Sequence, residues 1–338
     1  MKKLMTLLLI VPLLASSLLF PVQSEAAEMN FSVSANIPDN QIDKTKNYFH
    51  LKLAPGQKQT VDVVLTNETN HELTILTSVN TAVTNNNGIV DYSQKNPKLD
   101  ETLKYPISKL TKSAGEVVLP AYSSKKYPIK IQMPLESFDG TILGGVYFQE
   151  KAPKKKESQS KDIQIKNQYA YVIGMMLSQN DTEVKADLTL NDITPTQINH
   201  HNVVTINLQN TEAAILKDLD IEAKVFKKDG TKALFESSKQ NMRMAPNSNF
   251  DLPISWDNRE FAPGKYRLDL IATSSGQVWK WSEYFTIDNK TAKELNATAL
   301  DIEKDYTWVY LVIAIFVLLL SLFLVFLLGK RSRKDDTE

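Results

Sequence analysis

Apolar residues along this chain recur at every second position in short runs. In "QTVDVVLTN" the residues Val61, Val63 and Leu65 fall on one face. In "KKYPIKIQM" Tyr127, Ile129, Ile131 and Met133 do the same, as do Tyr266, Leu268, Leu270 and Ala272 in "GKYRLDLIA". The runs are rich in β-branched and aromatic residues and are bounded by Asn, Gly, Pro and Asp, so each predicts a half-buried strand. Helical periodicity is absent ahead of Thr307 apart from a trace in "TAKELNATALDIEKDY". Short strands at regular spacing predict an all-β chain. Residues 27–305 are enough for two tandem immunoglobulin-like β-sandwich domains.

The runs also repeat in order. Val61, Val63, Leu65 and Asn67 match Val204, Ile206, Leu208 and Asn210; "LPAYSSKKYPI" then echoes "MAPNSNFDLPI", and "FDGTILGGVYF" echoes "FAPGKYRLDLI". Two sandwiches of similar topology are the simplest account of three echoes in one order. The boundary is less obvious. "GGVYFQE" is followed by the polar, lysine-rich "KAPKKKESQSKDIQIKNQ" and then by the apolar run "YAYVIGMML", which calls for burial on both faces. The first domain lacks a last strand and the second has one too many if the chain is cut at Glu150. The preferred reading is a hairpin: Val146–Gln149 pairs with Tyr169–Leu177 across a disordered loop at 151–167. The first domain is then 28–180, with its core at about 30–150 and its closing strand at 169–177, and the second is 181–288.

The two ends of the chain carry a different pattern. Lys2 and Lys3 precede an apolar run, Leu4–Leu19, and Ser24 and Ala26 supply small-x-small before a cut, so residues 1–26 predict an export signal peptide. Trp308–Leu328 contains no charge, with Tyr306, Trp308 and Tyr310 at one end and Lys330, Arg331, Arg333 and Lys334 at the other. This predicts a juxtamembrane linker at 289–306, one transmembrane helix at 307–328 and a basic cytoplasmic tail at 329–338. The expected location is the cell membrane, single-pass, with the N-terminal part outside in the wall zone. The 39 basic and 39 acidic residues cancel, and no basic excess suggests nucleic acid. There are no cysteines, which fits a bacterium exporting across a single membrane.

Candidate chemistry is sparse. The four histidines are His50, His71, His200 and His201; the adjacent pair would point to opposite faces of a strand and so could not chelate one metal. No zinc-protease, nucleophile-elbow or phosphate-loop pattern occurs. The expectation is a non-enzyme with no catalytic, metal or cofactor residue. In "VWKWSEYFTI" the face Trp279, Trp281, Phe285, Ile287 reads as core, as does Trp256, and Tyr266 resembles a corner tyrosine. "NNNGIVDYS" is more open to function. Amides at a turn with a carboxylate and a ring beside them suit sugar binding, so Asn85, Asn86, Asn87, Asp91 and Tyr92 are the glycan-binding candidates; a plain polar hairpin turn is the alternative.

Longer strings carry a resemblance. "FSVSANIPDNQIDKTKNYFHLKLAPGQKQTVDVVLTNET", "TNNNGIVDYS", "LKYPIS" and "FDGTILGGVYF" resemble the first domain of the WxL-interacting proteins of Gram-positive bacteria. "ILKDLDIEAKVFKKDG", "NMRMAPNSNFDLPI" and "FAPGKYRLDLIATSSGQVWKWSEYFTI" resemble the second. The resemblance implies peptidoglycan binding by the first domain and binding of a WxL-type surface protein or a host extracellular protein by the second. It implies an anchored partner of WxL proteins, since Trp308 is followed by Val and Tyr and no Trp-x-Leu motif is present. The alternative within that resemblance is an assembly scaffold that retains WxL proteins and touches no glycan.

Overall fold

The computed structural model describes residues 29–152, 169–302 and 307–332. The expected signal peptide, all of the expected loop 151–167 except Lys151 and Ala152, and the tail beyond Ser332 lie outside the described residues. The chain divides into two compact units. The first takes the described residues up to Thr81 together with Tyr92–Pro97 and Tyr105–Thr182; the second takes Ala82–Asp91, Lys98–Lys104 and the described residues from Glu183 onward.

In chain order the first stretch supplies β1 (Phe31–Asn36), β2 (Phe49–Lys52), β3 (Lys58–Asn67), β4 (Leu73–Thr81), β5 (Val83–Thr84), β6 (Val90–Asp91), β7 (Thr111–Lys112), β8 (Glu116–Leu119), β9 (Ser124–Gln132), β10 (Ile142–Glu150) and β11 (Ala170–Ser178). Of these, β5 and β6 belong to the second unit. The rest of the first unit forms two sheets, ordered β1-β3-β9-β7 and β2-β11-β10-β4-β8. Alternation sets the core. Tyr127, Ile129 and Ile131 of β9 and Val61, Val63 and Leu65 of β3 turn inward against Ile75, Val146 and Phe148 of the other sheet. Each such side chain contributes about 1.5–3 kcal/mol on leaving water.

Strands β10 and β11 pair antiparallel with Val146 opposite Ile173, and β11 pairs in parallel with β2. The "YAYVIGMML" run is not buried on both faces as the sequence leads one to expect. Met175 and Leu177 are buried, but Val172 on the outer face is 39% exposed. Among the described residues, the segment at Tyr92 lies over part of that face, at Gly145.

The second unit contains β12 (Leu188–Ile198), β13 (His201–Asn210), β14 (Leu216–Lys227), β15 (Phe235–Met244), β16 (Ser248–Ser255), β17 (Gly264–Ser274) and β18 (Gln277–Ile287). They form sheets ordered β12-β13-β16 and β15-β14-β17-β18 around a core centred on Trp256, Tyr266 and Leu268. Tyr266 donates its hydroxyl to Ala262 O at 2.6 Å, pinning the chain four residues upstream, a corner-tyrosine role. Phe285 and Ile287 are buried and Trp279 and Trp281 pack partly exposed against the same core. His200 does not share a strand with His201: with Asn199 it forms the β12–β13 turn, at φ 63° and 51°. A helix over Asn289–Thr298 follows, capped by Asp288, which accepts from Thr291 N at 2.8 Å.

The internal repeat has a structural counterpart at single residues. Asn67 donates to the carbonyls of His71 (2.7 Å), Leu119 (3.1 Å) and Pro120 (2.9 Å). Asn210 donates to Ala214 O (2.7 Å) and Ala245 O (2.9 Å). Both asparagines are buried and each ties a strand end to the turn that carries the proline. That turn adopts positive φ at Tyr122 (50°) in one unit and Asn247 (48°) in the other. The amides of these residues reach Thr69 O and Glu212 O, each two residues past its asparagine.

One expectation is overturned. A helix runs over Thr307–Ser332, but among the described residues no helix is long and apolar enough to cross a membrane. The transmembrane helix expected at 307–328, and the single-pass topology built on it, are corrected accordingly.

Candidate functional site

The Asn-rich turn is held by its own first side chain. Asn85 Oδ1 accepts from Asn87 N (2.9 Å) and Ile89 N (3.2 Å), and Asn85 N and Ile89 O close the loop at 3.0 Å. Gly88, at φ +68°, supplies the left-handed residue this turn needs. Its α-carbon is pressed against the Met242 side chain, where any Cβ would collide, and its carbonyl accepts from Arg243 N at 2.7 Å. Thr84 Oγ1 bonds Ser248 Oγ (2.6 Å) and accepts from Ala245 N (3.0 Å). This turn is therefore part of the second unit. Asn86 and Asn87 stay exposed at its tip, and Asp91 pairs with Val83. Tyr92 belongs to the first unit. The structure thus brings Asn85, Asn86, Asn87 and Asp91 into one hairpin of the second unit, and the next residue, Tyr92, is counted with the first.

A second segment of the same unit, Lys98–Lys104, carries a buried acid that sequence reasoning missed. The Asp100 carboxylate accepts from Gln209 Nε2 (2.9 and 3.1 Å), Asn249 Nδ2 (2.5 Å) and Thr102 N and Oγ1 (2.9 and 2.7 Å). Burial pushes its pKa up, and the hydrogen bonds from Asn249, Thr102 and Gln209 together outweigh burial and hold it below the usual carboxylate value. A depressed folded value stabilises the fold above the unfolded pKa of about 3.9 and loses that contribution as pH falls through the folded value. Asp100→Asn puts an NH2 against amide donors. It is expected to cost about 1–3 kcal/mol at pH 7 and to flatten the acid limb of the stability profile. Denaturation midpoints measured from pH 2 to pH 7 check both; an unchanged acid limb would count against this role of Asp100.

On the first unit the outer face of the five-stranded sheet is arranged in cross-strand rows. Gly174 of β11 lies opposite Gly145 of β10, and Gly145 lies opposite Asn80 of β4. Tyr48, just ahead of β2, closes the row: a methyl added at Gly174 would stand 3.5 Å from Tyr48 Cβ. At the other end Tyr92 lies over Gly145, where an added methyl would meet Val172 at 2.7 Å and Tyr92 at 3.1 Å. Asn80 donates Nδ2 to Tyr92 O at 2.7 Å, and its Oδ1 is a buried acceptor with no partner. Val172, Tyr147 and Ser78 form the row on one side, and His50, Met176 and Leu143 lie on the other. Burial, opposed by Asp43, lowers the His50 pKa, so the imidazole is neutral at pH 7. None of this was readable ahead of the register; glycines 29 positions apart give no local signal.

The sequence matches the WxL Interacting Protein, peptidoglycan binding domain, over residues 31–150, and the WxL Interacting Protein, host binding domain, over residues 160–297. The chain belongs to the WxL-interacting protein family. The matched parts are binding domains of cell-surface proteins, in the order the sequence resemblance implies. The second match opens at 160, although β11 is hydrogen bonded into the first unit's sheet. No curated protein matches the chain. Among solved structures, a CFA/I fimbrial chaperone–tip adhesin complex aligns at 16% identity over 74% of this chain and 98% of that one, with a TM-score of 0.32. The class 5 fimbrial chaperone CfaA aligns at 16% over 75% and 98%, TM-score 0.28. The E. coli chaperone DraB aligns at 12% over 76% and 98%, TM-score 0.27. At such scores the likeness decides nothing about this member of the WxL-interacting family.

Proposed function

We propose that this chain is a cell-surface binding protein that attaches to peptidoglycan through its first domain and binds a protein partner through its second, the partner being a WxL-type surface protein or a host extracellular protein. The observation that carries the reading is the pair of family matches, covering 31–150 and 160–297. Physical features support it. The first unit presents a broad, half-exposed sheet face, and the balanced charge of the chain offers no electrostatic footprint for nucleic acid. The candidates Asn86, Asn87 and Asp91 remain proposed glycan contacts under this reading, with Asn85 shaping their turn; Tyr92, in the first unit, is a separate candidate.

The test is co-sedimentation of the full-length chain with purified murein sacculi stripped of teichoic acid, beside capture of a WxL-type protein and of host matrix proteins on the immobilised chain. Retention on sacculi together with capture of one protein class is the expected result. Capture of a WxL protein without retention on sacculi would leave a scaffold that touches no glycan. No retention and no capture would sink the reading.

A further inference from the structure

We propose that the outer face of β3, β9 and β7 in the first unit binds a polyanion of the wall, a polymer with repeated phosphodiester groups such as teichoic acid, through Lys58, Lys112, Lys126 and Lys130. The inference goes beyond peptidoglycan binding and takes from that reading only the location at the wall.

Register assembles the strip. Lys112 of β7 lies directly opposite Lys130 of β9, and Lys130 lies opposite Thr60 of β3. Lys58 is opposite Gln132 and so diagonal to Lys130, while Lys126 stands four residues before Lys130 on the same strand. All four lysines are exposed, and they alternate with the buried Val61, Tyr127, Ile129 and Ile131, which face the core. The outward residues of these three strands include a single carboxylate, Asp62, opposite Pro128. Among the described residues none of the four ammonium groups has an ion pair, to Asp62 or to any other acid. The chain as a whole carries equal numbers of acidic and basic residues, so the excess on this face is local.

The arrangement is one the fold does not need. Like charges directly opposite each other on neighbouring strands are destabilising, and diagonal neighbours remain within reach of long side chains. Lysine and proline on β9 could serve to guard a sheet edge against pairing with another strand. That role accounts neither for Lys58, on a strand paired on both sides, nor for one lysine set directly against another. A bound anion accounts for both, because it turns the repulsion into shared attraction.

The spacing selects the class of anion. From Lys126 to the level of Lys58 is six residues along β9, about 20 Å at ~3.3 Å per residue. No single small anion spans that distance, whereas an extended polymer with a charge on every repeat does. The cations are all lysines, and no arginine occurs ahead of Arg243. Lysine meets phosphate as a point charge, without the planar fork that makes arginine the bidentate partner of carboxylates. A neutral glycan backbone would gain nothing from the strip.

The experiment uses the full-length chain. Calorimetric titrations compare polyglycerol phosphate freed of lipid, poly-L-glutamate and N-acetylchitotetraose. Co-sedimentation compares sacculi with and without their teichoic acid, and phosphatidylglycerol vesicles. The variant Lys112→Gln/Lys126→Gln/Lys130→Gln is set against Lys217→Gln/Lys232→Gln/Lys280→Gln, which makes the same change in net charge at exposed positions of the second unit. The strip variant relieves repulsion and should melt no lower than the parent; Lys130→Gln alone decides the matter if it does. The expected result is binding of polyglycerol phosphate that weakens as salt is raised, is at least about tenfold weaker in the strip variant and is unchanged in the second-unit variant. Retention should also be greater on sacculi that keep their teichoic acid. No binding of polyglycerol phosphate at low salt, or equal loss in both triple variants, overturns the proposal. Poly-L-glutamate bound as tightly overturns the phosphate class, and preference for the vesicles points to a membrane surface instead. Retention on stripped sacculi reports on peptidoglycan binding separately, so either reading can fail while the other stands.

Discussion

Trp256→Ala is expected to destabilise the second unit by about 3–5 kcal/mol, among the largest effects open to a single substitution here. Trp256 is 2% exposed and joins three aromatic partners: Phe235 stacked at 4.0 Å, Phe261 at 5.1 Å and Tyr266 edge-on at 5.5 Å. Tyr266 in turn stacks on Phe285 at 5.4 Å, so the indole is the hub of a chain of rings between the two sheets. Its removal leaves a cavity that four rigid rings cannot collapse to fill, and forfeits aromatic-pair terms of about 0.5–1.5 kcal/mol each beyond area burial. Trp256→Phe keeps part of the stack and should cost roughly half as much. All four tryptophans lie beyond Glu183, so tryptophan fluorescence during urea unfolding follows the second unit. A midpoint for Trp256→Ala within about 1 kcal/mol of the parent, at constant slope, would show that the hub contributes little.

What the sequence made legible were features with a local period or a local partner. Alternation found the strands and most of the core, because each strand of a sandwich has one wet face and one dry one. The ordered echoes found a repeat that extends to hydrogen bonds: Asn67 and Asn210 are each followed two residues later by the carbonyl that receives the turn amide. Tyr266 was readable as a corner because its partner, Ala262 O, is four residues away. The features that escaped depend on distant partners. Asp100 finds its amides 109 and 149 residues downstream, and no window of sequence contains all three. The turn at Asn85 reads as a free polar tip, yet Thr84 and Gly88 fasten it to β15 and the turn before β16. The apolar run at Tyr169 misled differently. Its outward residues were assigned burial because apolar runs usually have it, whereas Val172 stays exposed beside a glycine row that only register assembles. At the C-terminal end an uncharged run with aromatic and basic flanks set the expected transmembrane span, which the described residues do not bear out.

The adjacent glycines of "FDGTILGGVYF" show how one sequence element serves two faces. Strand geometry turns Gly145 outward under Tyr92 and Gly144 inward. A Cβ on Gly144 would be driven into the Asn80 carbonyl and the Ile107 side chain. Ile107 is fully buried in the short helix Ile107–Leu110, which enters the core because Gly144 leaves room for it. Neither obstacle is a flexible tip. One is backbone of the paired strand β4; the other is a β-branched side chain fixed in the core. Gly144→Val is therefore expected to cost about 3 kcal/mol or more, displacing the helix and loosening the β4–β10 pairing, and Gly144→Ala should already be destabilising. Gly115→Val is the matched control, since an added Cβ there meets nothing within 4 Å. Because the first unit contains no tryptophan, its unfolding is followed by tyrosine near-ultraviolet circular dichroism and by protease susceptibility. Gly144→Val should melt well below both the parent chain and Gly115→Val while the tryptophan transition of the second unit holds its midpoint. Equal melting of the two valine variants would mean that the helix can move aside at little cost, and that the inward glycine is not what seats Ile107.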